Sequence, residues 1–186
     1  LNISPGWIDL LEVNQVSPTI KMIEQAGINP NQIVIEITEQ NGNIENIKRL
    51  TQEYHQAGVR VAIDDFGSGH SQIDRIIEIE PEFIKIDMKL FKAACKGGAA
   101  ANVALSIADF SNRSGSKIIF EGIESEEEFH FAIDCGADYV QGWLFNVAVA
   151  KPDKSDLYAE QVSKLKKSYL ARKKQRIKFL AKESKL

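Results

Sequence analysis

Eight polar residues stand out because they lie inside or at the ends of apolar runs: Asn2, Glu36, Asp64 with Asp65, Lys85 with Asp87, Glu121 and Gln141. A charge in the second half of a buried strand is desolvated and needs a partner. A single inward lysine has an ordinary explanation as a structural ion-pair partner. Successive strands that each bring a polar group to the same end form a different pattern. Carboxylates that converge repel one another, and their pKa values rise unless a cation sits among them. The donors are oxygens, with no clustered His or Cys, which favours Mg²⁺ or Mn²⁺ over Zn²⁺. A lysine in the same place suits stabilisation of negative charge or of an activated water. The combination points to metal-assisted hydrolysis of a phosphate ester.

The stretch Val61-Ala62-Ile63-Asp64-Asp65 carries the sharpest signal. Successive side chains of a regular strand face opposite sides. At a strand end followed by Gly67 and Gly69, the backbone can turn and bring the second carboxylate round to the first. One aspartate between two ions, with its neighbour on the second, is a compact two-metal arrangement. An Asx-turn closing a strand accounts for one aspartate and leaves the other unexplained.

The elements that must position these residues are legible as β-branched runs. Strands are expected at 1–4, 33–38, 60–66, 83–88, 117–122 and 139–145. Helical patterns lie between them. Ser17-Pro18 reads as an N-cap with Pro at the first helical position, and Gly27 closes that segment. Ile44, Ile47, Leu50 and Tyr54 share one helical face that ends at Gly58. A long helix runs from about Gly98 to Phe110, and Ser125 with Glu128 forms a capping box for a helix ended by Gly136. Strands alternating with helices imply right-handed crossovers and a mostly parallel sheet. Both an open doubly wound sheet and a (β/α) barrel fit. No G-x-G-x-x-G follows the first strand, which argues against a dinucleotide-binding fold. In a barrel, the C-terminal strand ends meet at one mouth where chemistry is done.

The chain has 186 residues, 44% hydrophobic and 26% charged, in the range of one soluble domain. No apolar run approaches the roughly 18 residues of a membrane span. The first residue is Leu1, not Met, so further chain is expected upstream. Cys95 and Cys135 belong to no C-x-x-C pair and read as reduced thiols of a cytoplasmic protein. The net charge of −3 hides an asymmetry: positions 159–186 hold ten Lys or Arg and two acids. Taking these from the chain's 23 basic and 26 acidic residues leaves 13 and 24 for positions 1–158, a net of −11. An acidic body is poorly suited to nucleic acid, and no specific nucleic-acid binding is expected. In the basic tail Val162, Leu165 and Tyr169 form an apolar stripe that Ile177 and Leu180 continue imperfectly. It suits a helix packed on the body, a helix paired with a partner, or one that touches an anionic surface.

The segments LNIS, IEITE, AIDDFGSGHS, IKIDMKLF, FEGIESEEE and QGWLF, in this order over about positions 1–150, resemble the EAL domain family. These bacterial phosphodiesterases open cyclic di-GMP to linear pGpG. The resemblance implies a TIM-type (β/α) barrel, here the last six strand–helix units over 1–152; residues 153–186 have no counterpart in the family core and read as a basic helical tail. It implies two ions, Mg²⁺ or Mn²⁺, with Asn2, Glu36 and Asp64 on the first and Asp64, Asp65 and Glu121 on the second. Lys85 corresponds to the family lysine beside the nucleophilic water, and Lys85, Glu121 and Asp65 are the implied catalytic residues. Glu124, Gln141 and Asp87 take substrate-side or outer positions. Glu39 anchors the loop after the aspartate pair, 66–73, which couples dimerisation to activity.

The strand bearing Glu-Ala-Leu, with a glutamate for the first ion and an arginine for the phosphate, is expected upstream of Leu1, as is one further strand. The chain departs from the family at His70, where Tyr is usual, at Phe120, where Ala is usual, and in NVAVAKP before Pro152. His70 reads as a loop residue, and His55 and His130 as surface histidines on helices. The implied partners are cyclic di-GMP, a second copy of the chain, and an upstream sensory or GGDEF-type domain. The implied setting is the cytoplasm, or the cytoplasmic part of a membrane-anchored parent. The competing readings are a catalytically incomplete EAL domain acting as a cyclic di-GMP receptor or interaction module, and an unrelated metal-dependent barrel enzyme.

Overall fold

A computed structural model describes residues 1–3, 17–38, 43–68, 73–145 and 157–183. Six strands form one parallel sheet: β1 (Asn2–Ile3), β2 (Val34–Thr38), β3 (Arg60–Phe66), β4 (Phe83–Ile86), β5 (Lys117–Phe120) and β6 (Tyr139–Val140). The helices are α1 (Pro18–Gln25), α2 (Ile44–Gln56), α3 (Ile73–Ile79), α4 (Met88–Cys95), α5 (Gly98–Ser114), α6 (Glu126–Asp134) and α7 (Leu157–Glu183).

The strands lie side by side in chain order, β1-β2-β3-β4-β5-β6. A doubly wound sheet reverses direction at a switch point, so this order excludes it and leaves the barrel-type winding. Among the described residues β1 and β6 are the two edges. One face of the strands is apolar and sealed: Ile35, Ile37, Val61, Ile63, Ile84, Ile86, Ile118 and Phe120 are 2% exposed or less. The alternate positions Glu36, Ala62, Phe83, Ile119 and Gln141 line a cavity of about 340 Å³ on the opposite face. Among the described residues no helix is long and apolar enough to cross a membrane.

Several sequence expectations are corrected: β4 ends at Ile86 and β5 at Phe120, short of the expected 88 and 122, so that Asp87 and Glu121 lie just past their strands. β6 ends at Val140, and the chain bends at Gly142 into a turn over Trp143–Phe145. The reason is a contact with a distant segment: a Cβ at Gly142 would lie 2.1 Å from the Ile123 carbonyl oxygen, and Ile123 N–H donates to the Gln141 carbonyl at 3.0 Å. Ser17 gives α1 no side-chain cap; its hydroxyl lies 3.3 Å from the buried Tyr54 hydroxyl, while Pro18 does open the helix. His130 is not a surface residue but is 5% exposed.

The cover over His130 is the basic tail. Leu165 of α7 is buried, Gln161 donates to the Leu144 carbonyl, and Ser168 bonds Glu126. The Tyr169 hydroxyl donates to Asp134 at 3.2 Å and Arg172 lies 3.1 Å from His130 Nδ1. The tail is thus a helix packed against α6, with Lys164, Lys166, Lys167, Lys173 and Lys174 left toward solvent. The capping box of α6 forms as expected: Glu128 N–H donates to Ser125 Oγ at 3.2 Å, and Glu128 Oε2 accepts from Ser125 N–H at 3.3 Å. The two cysteines are free thiols, and burial pushes each up to about 11.

Candidate active site

The site grows from Lys85. It lies on β4 between the sealed residues Ile84 and Ile86, so alternation turns it to the cavity face. Its Nζ is 2.8 Å from Asp64 Oδ1, 2.8 Å from Glu121 Oε1 and 3.1 Å from Glu36 Oε2. Glu36 lies on β2, Asp64 on β3 and Glu121 just past the end of β5, and the register is staggered, Glu36 lying level with Ala62 and Lys85 with Ile119. Asn2 pairs with Glu36 and Thr38 with Asp64, while Glu121 follows the last residue of β5. The lysine is 5% exposed. Burial opposes its charge, but hydrogen bonds to Asp64 and Glu121 prevail and hold the ammonium above its ordinary range. It is a fixed cation at the centre of an acidic cluster.

Asp65 reaches the same site through its own backbone. Its φ is +56°, the left-handed region that an aspartate tolerates better than most residues, and its N–H donates to Asp64 Oδ1 at 3.0 Å. The turn therefore begins at the second aspartate itself, with Gly67 (φ +93°) continuing it under Leu90. Asp64, Asp65 and Glu121 each offer an oxygen, all within 4.8 Å of one another. Burial raises the Asp65 carboxyl above its ordinary value, and the neighbouring Asp64 and Asp87 add to this. Burial also raises Glu121, and its bond to Lys85 offsets only part of the effect.

The cluster therefore sets four carboxylates against one ammonium. Its donors are all oxygens and two of them are already pushed toward protonation. This donor set fits a hard divalent cation, which would neutralise the surplus charge.

The other expected residues separate from this centre. Asp87 caps α4, its Oδ1 accepting from Lys89 N–H at 2.8 Å and Leu90 N–H at 3.3 Å. Glu124 is half exposed and pairs with Lys92 at 3.0 Å. Gln141 lines the cavity beside Glu36, and Glu39 lies outside the described residues. His55 is partly exposed, 3.3 Å from Glu82, and His70 also lies outside the described residues. Sequence reasoning passed over Arg60, whose guanidinium sits 5.3 Å from the Phe83 ring centre in the same cavity, and Lys92. Lys92 could have been found by its spacing, seven residues after Lys85, which matches Glu121 to Glu128.

Comparison with known proteins agrees with this geometry. The EAL domain family matches residues 1–151. The EAL-domain containing protein YkuI of Bacillus subtilis is 31% identical over 126 residues, covering 67% of this chain and 31% of YkuI. Escherichia coli PdeA, named a probable cyclic di-GMP phosphodiesterase, is 28% identical over 146 residues, covering 77% of this chain and 20% of PdeA. The chain thus spans a third or less of these relatives.

Among solved structures, YkuI in complex with cyclic di-GMP and calcium has a TM-score of 0.84 at 23% identity, covering 98% of this chain and 46% of YkuI. That cover leaves only a few residues unmatched, so the likeness of fold runs on into α7. Klebsiella pneumoniae BlrP1 with manganese and cyclic di-GMP has a TM-score of 0.72 at 27% identity, covering 79% of this chain and 38% of BlrP1. The chain belongs to the EAL domain family.

Proposed function

We propose that the chain is the catalytic part of a metal-dependent phosphodiesterase that hydrolyses cyclic di-GMP to linear pGpG. The observation that carries this reading is the Lys85 cluster, in which carboxylates from β2, β3 and just past β5 meet one buried ammonium beside a second aspartate. The naming of PdeA as a cyclic di-GMP phosphodiesterase supports the substrate. The manganese complex of BlrP1 supports the class of ion.

Asn2, Glu36 and Asp64 would hold one Mg²⁺ or Mn²⁺, and Asp64, Asp65 and Glu121 a second. When bound, such ions supply Lewis acidity toward the phosphodiester and lower the pKa of water. Lys85 holds Glu36, Asp64 and Glu121 in place, and its positive charge favours the oxygens that gain negative charge in the transition state. Glu121 and Asp65 accept hydrogen bonds from the attacking water and so orient it. Attack is in line: the water oxygen forms a new P–O bond as the bond to the ribose 3′ oxygen breaks, and the proton the water gives up to solvent is matched by one that solvent supplies to the leaving oxygen. Glu124 and Gln141 would stand on the substrate side. In this reading the protein works in the cytoplasm, with a second copy and an upstream sensory or GGDEF-type domain as partners.

The test is to incubate the protein with Mn²⁺ and cyclic di-GMP and follow the nucleotides by chromatography. pGpG is expected from the wild type and not from Asp64→Ala. Binding of cyclic di-GMP without turnover in the wild type would overturn the enzyme and leave a receptor.

A further inference from the structure

Lys85 has an outer counterpart. Lys92 lies seven residues on, on α4, with Nζ 2.7 Å from Glu128 Oε1 and 3.0 Å from Glu124 Oε2. Glu128 likewise lies seven residues beyond Glu121. The β4–α4 and β5–α6 units are therefore tied twice by a lysine and carboxylates, once inside the site and once outside it. The segment 121–125 spans the two ties and has no helix or strand of its own.

This segment is held by its neighbours. Glu128 Oε2 accepts from the backbone N–H of Glu124 at 2.8 Å and of Ser125 at 3.3 Å, while its Oε1 takes Lys92. Both oxygens of Glu128 are thus engaged, and Lys92 fixes the plane of the carboxylate that holds the two amides. Gly122 (φ +72°) packs so closely on the first turn of α4 that an added Cβ would lie 2.2 Å from Met88 Cγ. Ile123 is pinned on the other side by Gln141 and Leu144. Glu121 is the residue before this braced stretch, so the bracing sets where its carboxylate meets Lys85.

We propose that Lys92 is a positioning residue for the active site: by holding Glu128 and Glu124 together it fixes the 121–125 segment and hence the Glu121 carboxylate. A partly exposed ion pair adds little to global stability. The value of Lys92 lies in geometry, since without it two carboxylates four residues apart face each other and Glu128 is free to release the amides. The metal arm of this inference rests on the function proposed above.

The test compares wild type, Lys92→Met and Lys92→Arg in two measurements. Calorimetric titration with Mn²⁺ alone is expected to show about tenfold weaker binding in Lys92→Met, the low end for residues that orient metal ligands. Lys92→Arg, which keeps the cation, is expected within about twofold of wild type on the same footing. Amide exchange at Glu124 and Ser125 is expected to speed up in Lys92→Met and not in Lys92→Arg, with the melting temperature nearly unchanged. Unchanged Mn²⁺ affinity in Lys92→Met, or equal loss in both variants, overturns the role toward the metal. If wild type binds no Mn²⁺, the metal reading fails by itself. Exchange at the two amides then decides, and unchanged exchange in Lys92→Met overturns the bracing as well.

Discussion

The two faces of the six strands differ by a shift of one residue, yet they are built from opposite materials. Toward the helices stand Ile35, Ile37, Val61, Ile63, Ile84, Ile86 and Ile118, which are almost wholly dry. Toward the cavity stand Glu36, Asp64 and Lys85, joined by Asp65 and Glu121 from just beyond the strand ends. The first face gains free energy by burial, about 25 cal/mol per Å² of apolar area removed from water. The second loses some, because it holds like charges close together in a half-dry site. The dry face makes the strands rigid enough to hold groups that would otherwise move apart. Stability and chemistry are thus assigned to alternate residues of the same strand.

This contrast can be broken by mutation. The largest effect is expected for Asp64→Ala, where pGpG formation by the proposed reaction should fall about a thousandfold, equivalent to roughly 4 kcal/mol of transition-state stabilisation. The melting curve should change far less than the turnover. Ile118→Ala should do the reverse. It should lower unfolding stability by about 2–4 kcal/mol in denaturant titration, while turnover per folded molecule stays near wild type. Equal loss of turnover in both variants would mean that the two faces are not separable.

A smaller effect of opposite sign is expected for Asp65→Asn. Asparagine tolerates the left-handed backbone at least as well, and it removes a charge from a crowded site. Stability should rise by about 1 kcal/mol, or about 2–4 °C for a chain of this size, as turnover is lost. A lower melting temperature would show that Asp65 is at ease where it stands.

The smallest effect concerns pH. Asp65 and Glu121 are raised, so the folded state holds their protons more tightly and acidification through that window stabilises. Glu128 is partly buried, but its bonds to Lys92 and to the Glu124 and Ser125 amides prevail and lower it. Its contribution is present above the ordinary carboxylate range and is lost as pH falls through the lowered value. Glu128→Gln should therefore lose stability at neutral pH and converge on wild type in acid. A constant gap across pH would show that its charge is immaterial.

The sequence made the strands readable because β-branched runs and charges at their ends are local signals. The Asp64-Asp65 pair, Glu36 and Lys85 could be picked out for the same reason. What stayed hidden depends on distant partners. His130 reads as a surface residue on its own helix, but Arg172 and Tyr169, some forty residues later, lie against it. The end of β6 at Val140 is dictated by the backbone of Ile123, which no pattern around Gly142 reveals. The choice between a doubly wound sheet and a barrel turned on spatial strand order, which hydrophobic periodicity does not encode. That Lys85 sits among three carboxylates, rather than beside one, follows from register across β2, β3, β4 and the end of β5.

The chain-order sheet also bears on how the protein forms. Among the described residues every neighbouring pair of strands is consecutive in the chain, so none of these five pairings joins strands far apart in sequence. Loop closure is then modest at each step, and rates fall as contacts become more distant. Chains emerge from the ribosome amino end first. The sheet can therefore be laid down from β1 toward β6 during synthesis, with the Lys85 cluster completed only when Glu121 arrives.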